Sequence, residues 1–325
     1  GSMKRFILPL LLFSSLMMPN ERFKNTNEEA AGKSFKDFLK WTFTNKKPEL
    51  VSIDSSNEWK ELDSGSTDYM VWIGHATYLI NKDNLTVLTD PVFSKRASPV
   101  RFAGPKRLIP PAIPIDKLPP IDVVTVSHNH YDHLDIRSLK KIYTANPEAI
   151  FLVPMGDRRR LERKGIKNVK EFLWWEEIEI KGSKFTYTPV QHWSARGIAD
   201  RNKSLWGGWF MTLKTGTIFH AGDTGYSKDF IETKNRLGIP SLSLIPVGAY
   251  APRWFMKTHH VNPSEAIQIA IDLESEKNFG MHWGTFQLTD EEILEPPKLL
   301  KESLKERGLS EDFFNILKPG QVIDI

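Results

Sequence analysis

The sequence predicts an α/β protein in which two packed sheets are covered by helices. Three observations carry this. Short apolar stretches of strand length, bounded by turn residues, alternate with amphipathic stretches of helical period. The 325 residues are 40% hydrophobic and 11% aromatic, ample for a large layered core. The strand-rich segments fall into two halves, each supplied with surface helices, as two packed sheets require.

In chain order, Gly1 and Ser2 look like an expression scar ahead of Met3. Lys4 and Arg5 then precede an apolar run, Phe6 to Met18, that resembles a signal-peptide core but is too short to span a bilayer as a helix. Met17-Met18-Pro19-Asn20 is a poor small-residue cleavage site, so a retained, interface-seeking segment is expected over a removed signal. Asn20 to Lys33 is polar and is expected to be a linker. Phe35, Phe38 and Leu39 share one helical face, with Ser34 as N-cap, because its hydroxyl can accept from an otherwise unpaired backbone N–H. That helix either docks on the core or, flanked by Lys36, Lys40, Lys46 and Lys47, faces lipid. The expected layout is an apolar segment and linker over 1–33, a helical extension over 34–66 and a catalytic domain over 67–325.

Strands are expected at Tyr69 to Ile73, Thr77 to Ile80, Leu85 to Leu88, Ile121 to Val126 and Ile150 to Val153, with helices at Ile136 to Tyr143 and Asp157 to Lys164. In the second half the expected strands are Lys184 to Val190, Gly208 to Leu213, Thr217 to Phe219, Ser243 to Val247 and Phe279 to His282. Helices are expected there at Lys228 to Leu237, Pro263 to Leu273 and Pro297 to Arg307. The proline-rich stretch Ile109 to Pro114, with Pro119-Pro120 after it, reads as a rigid loop or, less commonly for such a stretch, a partner-binding segment.

Composition narrows the chemistry. The net charge of +4 is spread without the concentrated basic run of a nucleic-acid binder, so no nucleic-acid partner is expected, while mild positive charge suits an anionic membrane surface. There is no cysteine, so disulfides and thiolate catalysis are excluded and any metal must take His and carboxylate ligands. The decisive stretch is Val123-Val124-Thr125-Val126-Ser127-His128-Asn129-His130-Tyr131-Asp132-His133. In extended backbone His128, His130 and Asp132 project to one side, and His133 turns in as the chain enters the next helix. Three of the chain's nine histidines stand in this span, at the end of a buried strand where a site is held rigidly. Further on, Ile218 and Phe219 form a strand, and Gly222-Asp223-Thr224-Gly225 is a tight turn with a carboxylate at its tip.

His-x-His-x-Asp-His after a buried strand resembles the metallo-β-lactamase superfamily. More closely, the chain resembles the N-acylphosphatidylethanolamine-hydrolysing phospholipase D family, from about Tyr69 to the C-terminus. Matched stretches include Trp72-Ile73-Gly74-His75-Ala76-Thr77, Thr89-Asp90-Pro91, Gly104-Pro105-Lys106-Arg107, Gln191-His192-Trp193, Ala221 to Tyr226, Gly248 to Met256 and His282-Trp283-Gly284-Thr285-Phe286. The resemblance implies a metallo-β-lactamase-like αββα sandwich. It also implies His128, His130 and His192 on one metal, Asp132, His133 and His282 on the other, and Asp223 bridging both. Nitrogen and oxygen ligands favour two Zn2+ over iron or manganese. The implied reaction is attack of a metal-bridging hydroxide on an N-acylphosphatidylethanolamine-type phosphodiester, releasing N-acylethanolamine and leaving phosphatidic acid.

Asp132 is expected in catalysis as well as ligation, and His260 is expected to protonate the leaving oxygen, since it lies in a stretch resembling the family's site-lining loop. Tyr131, Tyr250, Arg253 and Trp254 are expected to meet substrate. Trp206, Trp209, Trp254 and Phe255 either line an acyl groove or are core, with core the commoner fate of a tryptophan. Arg196, Arg201, Lys203 and Arg253 either meet phosphate or are solvated, and His75 and His220 are expected to be structural. Other readings of the same metal centre are a lactonase, a nuclease-type phosphodiesterase and a metal-stabilised binding protein; a full seven-ligand set speaks for an enzyme. The expected partners are a phospholipid and a peripheral membrane surface, with room for a homodimer. The expected location is membrane-associated, on the periplasmic or cell-envelope side if the apolar run is an export signal and otherwise on the cytoplasmic face.

Overall fold

The computed structural model describes residues 21–325, so the apolar run from Phe6 to Met18 lies outside the described residues. The first sheet has the strand order β14 (Val322–Asp324), β1 (Tyr69–Gly74), β2 (Thr77–Lys82), β3 (Leu85–Thr89), β4 (Val123–Thr125), β5 (Ile150–Pro154) and β6 (Val169–Phe172). The second runs β13 (Phe314–Asn315), β12 (Asn278–Met281), β11 (Leu242–Pro246), β10 (Thr217–His220), β9 (Gly208–Thr212), β8 (Ser183–Thr188) and β7 (Glu177–Ile180). In each sheet one half is antiparallel and the other parallel: β3 to β6 in the first, β10 to β13 in the second.

Strand alternation builds the layers. Met70 and Trp72 of β1 join the core between the sheets, against Phe185, Trp209 and Phe219 of the second sheet. Val71 and Ile73 join the opposite layer, with Leu139 and Ile142 of α2 (Ile136–Ala145) and Leu161 of α3 (Arg158–Glu162). On the second sheet Phe230 of α4 (Asp229–Leu237), Ile267 and Ile269 of α6 (Pro263–Asp272), and Leu300 and Leu304 of α7 (Glu295–Glu306) complete the inter-sheet core's outer cover. Between α4 and α6 lies the short α5 (Arg253–Met256). The chain is thus an αββα sandwich, as expected.

The N-terminal helix, α1 (Phe35–Thr44), is capped by Ser34, whose hydroxyl accepts from the Asp37 N–H while the Asp37 carboxylate accepts from the Ser34 N–H. It runs three residues past the expected Trp41. None of its residues is fully buried, and it is tied to the body by Trp41, whose ring stacks on Phe255 at 5.2 Å and whose indole N–H donates to Asp290. The polar stretch expected to be a linker is docked: Asn25 and Ala31 are buried, and Thr26 donates to Asp229. Four short strands escaped the sequence reading. β6 has two adjacent charged residues, Lys170 and Glu171, at its centre, β7 has Glu177 and Glu179 at alternate positions, and β13 and β14 have only two and three residues.

The strand that carries the histidine motif is fastened from across the sandwich. Past Thr125 its carbonyls leave the regular ladder, and the second sheet supplies donors: Trp209 Nε1 to Val126 O at 2.9 Å, and Tyr187 Oη to Ser127 O at 2.6 Å. Buried carbonyls need such partners, so these two aromatic residues fix the exit of β4. Trp206 and Trp209 are fully buried and belong to the core.

Candidate metal centre

Four chain segments deliver the site, three of them directly from strand ends. β4 leads into His128, His130, Asp132 and His133; β10 leads into Asp223; β12 leads into His282; and the chain after β8 brings His192. Gly222 makes the β10 turn workable. Its φ is +64°, and a Cβ there would stand 2.7 Å from both Gly207 O and Ser127 Cβ, so only glycine lets the Asp223 turn close against the histidine strand.

Two groups of donors result. The ligand-type atoms of His128, His130 and His192 lie within 4.8 Å of one another, as do those of His75, Asp132, His133 and His282. Asp223 Oδ2 stands between them, 2.9 Å from His133 Nε2, 3.1 Å from His282 Nε2, 3.6 Å from His128 Nε2 and 3.7 Å from His192 Nε2. Asp132 Oδ2 lies 3.2 Å from His133 Nε2 and 3.1 Å from His282 Nε2. All seven residues named from the sequence are therefore brought together.

The residues fit a pair of metal ions. His128 Nε2, His130 Nε2 and Asp223 Oδ1 are buried without any hydrogen-bond partner, a state that costs free energy unless a cation takes their lone pairs. Burial holds His128 and His192 well below the usual imidazole range and His130 at about 4, so all three are neutral and offer lone pairs at neutral pH. At His133 and His282 burial also opposes charge, but Asp223 and Asp132 outweigh it, raising His282 to about 9 and His133 well above its ordinary value. Both carboxylates sit far below their usual range: burial pushes them up, and His133 overrides it. The centre thus demands positive charge, which protons supply at His133 and His282 and which a divalent ion can replace.

Nitrogen selection comes from partners the motif does not contain. Asp90, at the end of β3, accepts from His133 Nδ1 at 2.7 Å, so His133 Nε2 faces Asp132 and Asp223. Asp90 is itself held by the Ser127 N–H at 2.7 Å and the Ser127 hydroxyl at 2.6 Å. His192 Nδ1 donates to His259 O at 2.9 Å, and the His192 backbone N–H donates to the side chain of Asn25. His75, expected to be merely structural, sits at the centre: its Nε2 is 2.7 Å from Asp132 Oδ2, and burial lowers it to about 3, so as a neutral imidazole it donates to that carboxylate. Thr89-Asp90-Pro91 and Gly74-His75-Ala76 were visible as motifs, but their roles were not; Asn25 gave no signal at all.

A cavity of about 460 Å³ opens over the centre, lined by His130, Asp132, Asp223, His260 and His282 together with the apolar Phe35, Phe38, Trp41, Phe255, Met256 and Ile198. Arg201 and Lys33 also reach it. His260 faces it, with Nδ1 buried and unpartnered, and burial lowers its imidazole to about 3. At neutral pH His260 is therefore a neutral imidazole facing the cavity. Four expected substrate contacts do not line the cavity. Tyr131 donates to Arg196 O with its ring 3.7 Å from the Arg196 guanidinium, and Arg196 in turn donates to Leu134 O and Asn129 O, bracing the ligand loop. Tyr250 is buried and donates to Glu295; Arg253 is paired with Glu265 and donates to His260 O, which makes it a positioning residue. Trp254 lies at the surface beneath Lys40.

Comparison with known proteins agrees with this geometry. Residues 86–283 match the β-lactamase superfamily domain. The chain is 38% identical over 274 residues to N-acyl-phosphatidylethanolamine-hydrolyzing phospholipase D 1 of Caenorhabditis elegans, covering 81% of this chain and 77% of that protein. It is 40% identical over 247 residues to the mitochondrial N-acyl-phosphatidylethanolamine-hydrolyzing phospholipase D of Saccharomyces cerevisiae, covering 74% of this chain and about half (52%) of the yeast protein. Igni18, a metallo hydrolase of Ignicoccus hospitalis, shares the fold with a TM-score of 0.60 at 19% identity, over 79% of this chain and 98% of that one.

Proposed function

The chain belongs to the N-acyl-phosphatidylethanolamine-hydrolysing phospholipase D family of the β-lactamase superfamily and is a metal-dependent hydrolase, and we propose that it cleaves N-acylphosphatidylethanolamine-type phospholipids to phosphatidic acid and N-acylethanolamine. The observation that carries this reading is the make-up of the cavity: the metal-ligand donor set and the apolar side chains of helix α1, Phe255 and Met256 line the same space. A long-chain amphiphile suits such a space, with its phosphate at the carboxylates and histidines and its acyl chain against Phe35, Phe38 and Trp41.

His128, His130 and His192 would hold one ion, Asp132, His133 and His282 the other, with Asp223 between them; the all-nitrogen-and-oxygen donor set suits zinc. When bound, such ions supply an acidified water and neutralise charge on phosphoryl oxygens. The remaining work falls to the chain. Asp132 and Asp223 hold the donors in register, and His75 and Asp90 orient Asp132 and His133. Arg201 and Lys33, at the cavity wall, are placed to meet phosphate. His260, a neutral imidazole at the cavity wall, would give its ring N–H proton to the departing oxygen and regain one from solvent water in the cavity.

Helix α1 also gives the protein a surface for its substrate. Phe35 and Phe43 are 71% and 85% exposed, Ile198 at the cavity mouth is fully exposed, and Lys36 and Lys40 flank them. No helix among the described residues is long and apolar enough to cross a membrane. The exposed apolar and basic side chains of this face support a peripheral seat on a bilayer. The test is mass spectrometry of products after incubation with mixed phospholipids in 18O water. The proposal requires N-acylethanolamine together with phosphatidic acid carrying one 18O in its phosphate. Lactone opening without either product would replace it with another hydrolase of the same centre.

A further inference from the structure

A second cavity, of about 370 Å³, lies between the long connection from β3 to β4 and the start of α2, and it shares no lining residue with the cavity over the metal centre. Its charged lining is of one sign: Lys95, Arg96, Arg101, Arg137 and Lys141, with no acidic side chain among them. The whole chain carries a net charge of only +4, so five cations around one concavity are a local concentration and not a reflection of overall composition.

Internal partners do not neutralise them. Asp135 approaches Arg137 at 3.9 Å, but its other oxygen already accepts from the hydroxyls of Ser94 and Ser138. Arg96 donates to the neutral Gly104 O at 2.7 Å. Among the described residues Lys95, Arg101 and Lys141 make no ion pair. Like charges held around a concave, partly apolar surface repel one another and focus a positive potential into it. Phe93 and Ile115 provide that apolar part.

We propose that this cavity is a binding site for a phosphate-bearing anion, with the five cations around the phosphate and Phe93 and Ile115 beside its organic stem. The number of cations selects the ligand class: a dianionic phosphomonoester offers several oxygens to guanidinium forks and ammonium groups at once, whereas a carboxylate occupies one or two. The site is separate from the hydrolytic reaction and stands whatever that reaction's substrate proves to be.

The test uses the full metal-loaded chain and calorimetric titration with inorganic phosphate, glycerol 3-phosphate and dioctanoyl phosphatidate below its micelle concentration. Phosphate also has access to the metal centre, so the comparison is between the natural protein and Lys95→Gln/Arg101→Gln, two exposed loop positions. Lys141→Gln, on the outside of α2, is a second and independent variant. The expected result is one titration step weakened about tenfold in the double variant and less salt-dependent there, with turnover of a soluble phosphodiester unchanged. Dioctanoyl phosphatidate binding much tighter than glycerol 3-phosphate identifies a lipid headgroup as the source; equal affinities identify a soluble phosphomonoester. Titrations that are the same in the natural protein and both folded variants overturn the site.

Discussion

Replacing Asp90 by asparagine should damage the metal centre more than replacing it by alanine, the reverse of what shape conservation alone would give. Asp90 Oδ2 accepts from His133 Nδ1 at 2.7 Å, which leaves the His133 Nε2 lone pair directed at Asp223 and Asp132. An asparagine at this position would keep the Ser127 N–H on its carbonyl oxygen, and its amide NH2 would then point at both the Ser127 hydroxyl and His133 Nδ1. An N–H facing Nδ1 makes that nitrogen the acceptor and moves the ring proton to Nε2, where it occupies the ligand position. Alanine leaves the tautomer free and costs only orientation. Removal of such a supporting partner costs about 10- to 100-fold in metal affinity, or roughly 1.4 to 2.7 kcal/mol. We expect Asp90→Asn at or beyond the upper end and Asp90→Ala towards the lower. The assay is metal content by elemental analysis, close to two ions per natural chain, followed by competition with a chelator of known affinity. Asp90→Asn should retain the ion of His128, His130 and His192 more firmly than the other. Equal affinities in the two variants, or a weaker alanine variant, would refute the tautomer reasoning.

Three further outcomes follow from other parts of the molecule. His260→Ala should lower turnover on substrates with a poor leaving group while metal content stays unchanged, and a phenolate leaving group should restore much of the rate; absence of that rescue would assign His260 a packing role. Phe43→Glu, on the exposed end of α1 and outside the cavity lining, should weaken binding to anionic vesicles about tenfold or more and leave a soluble phosphodiester unaffected, since one buried Phe is worth about 1.5 to 3 kcal/mol. Equal loss on both substrates would show that the helix acts through the fold. Asp157 donates no proton to its neighbours at neutral pH yet is fully buried, and burial raises its carboxyl to about 6 against the pull of Asn129, Arg160 and Ser204. A raised carboxyl favours folding below its ordinary 3.8, and that advantage is lost as pH climbs through 6, about 3 kcal/mol in all. Urea unfolding of the natural protein and Asp157→Asn should therefore show the variant gaining relative stability between pH 4 and pH 7.5; a constant difference would contradict the shift.

How far the sequence could be read depended on whether a role is local or built from distant segments. The run from His128 to His133 declares itself, because a buried strand has no local use for so many donors at its end, and the Asp223 turn follows from glycines on either side of a carboxylate. His192 and His282 are isolated histidines in apolar surroundings and became visible only through family resemblance. β6 and β7, with Lys170, Glu171, Glu177 and Glu179, carry the charge of solvated sheet edges, and in segments of four residues that charge looks like loop. The same limit explains Tyr250 and Arg253: an aromatic and a cation in a stretch resembling the family's site-lining loop suggest substrate contact, yet Glu295 and Glu265, from α7 and α6, claim them first. The supporting residues are harder still. A histidine is recognisable as a ligand from its neighbours, but which of its nitrogens is free is decided by a partner elsewhere in the fold: Asp90 of β3's end for His133, and the His259 carbonyl after α5 for His192. Asn25 makes the point most sharply, since its side chain holds the backbone of His192 across 167 positions of sequence and shares its oxygen with the Trp206 indole. Donor identity is therefore a property of the motif, whereas donor orientation, on which metal affinity depends, belongs to the packing of the two sheets around it.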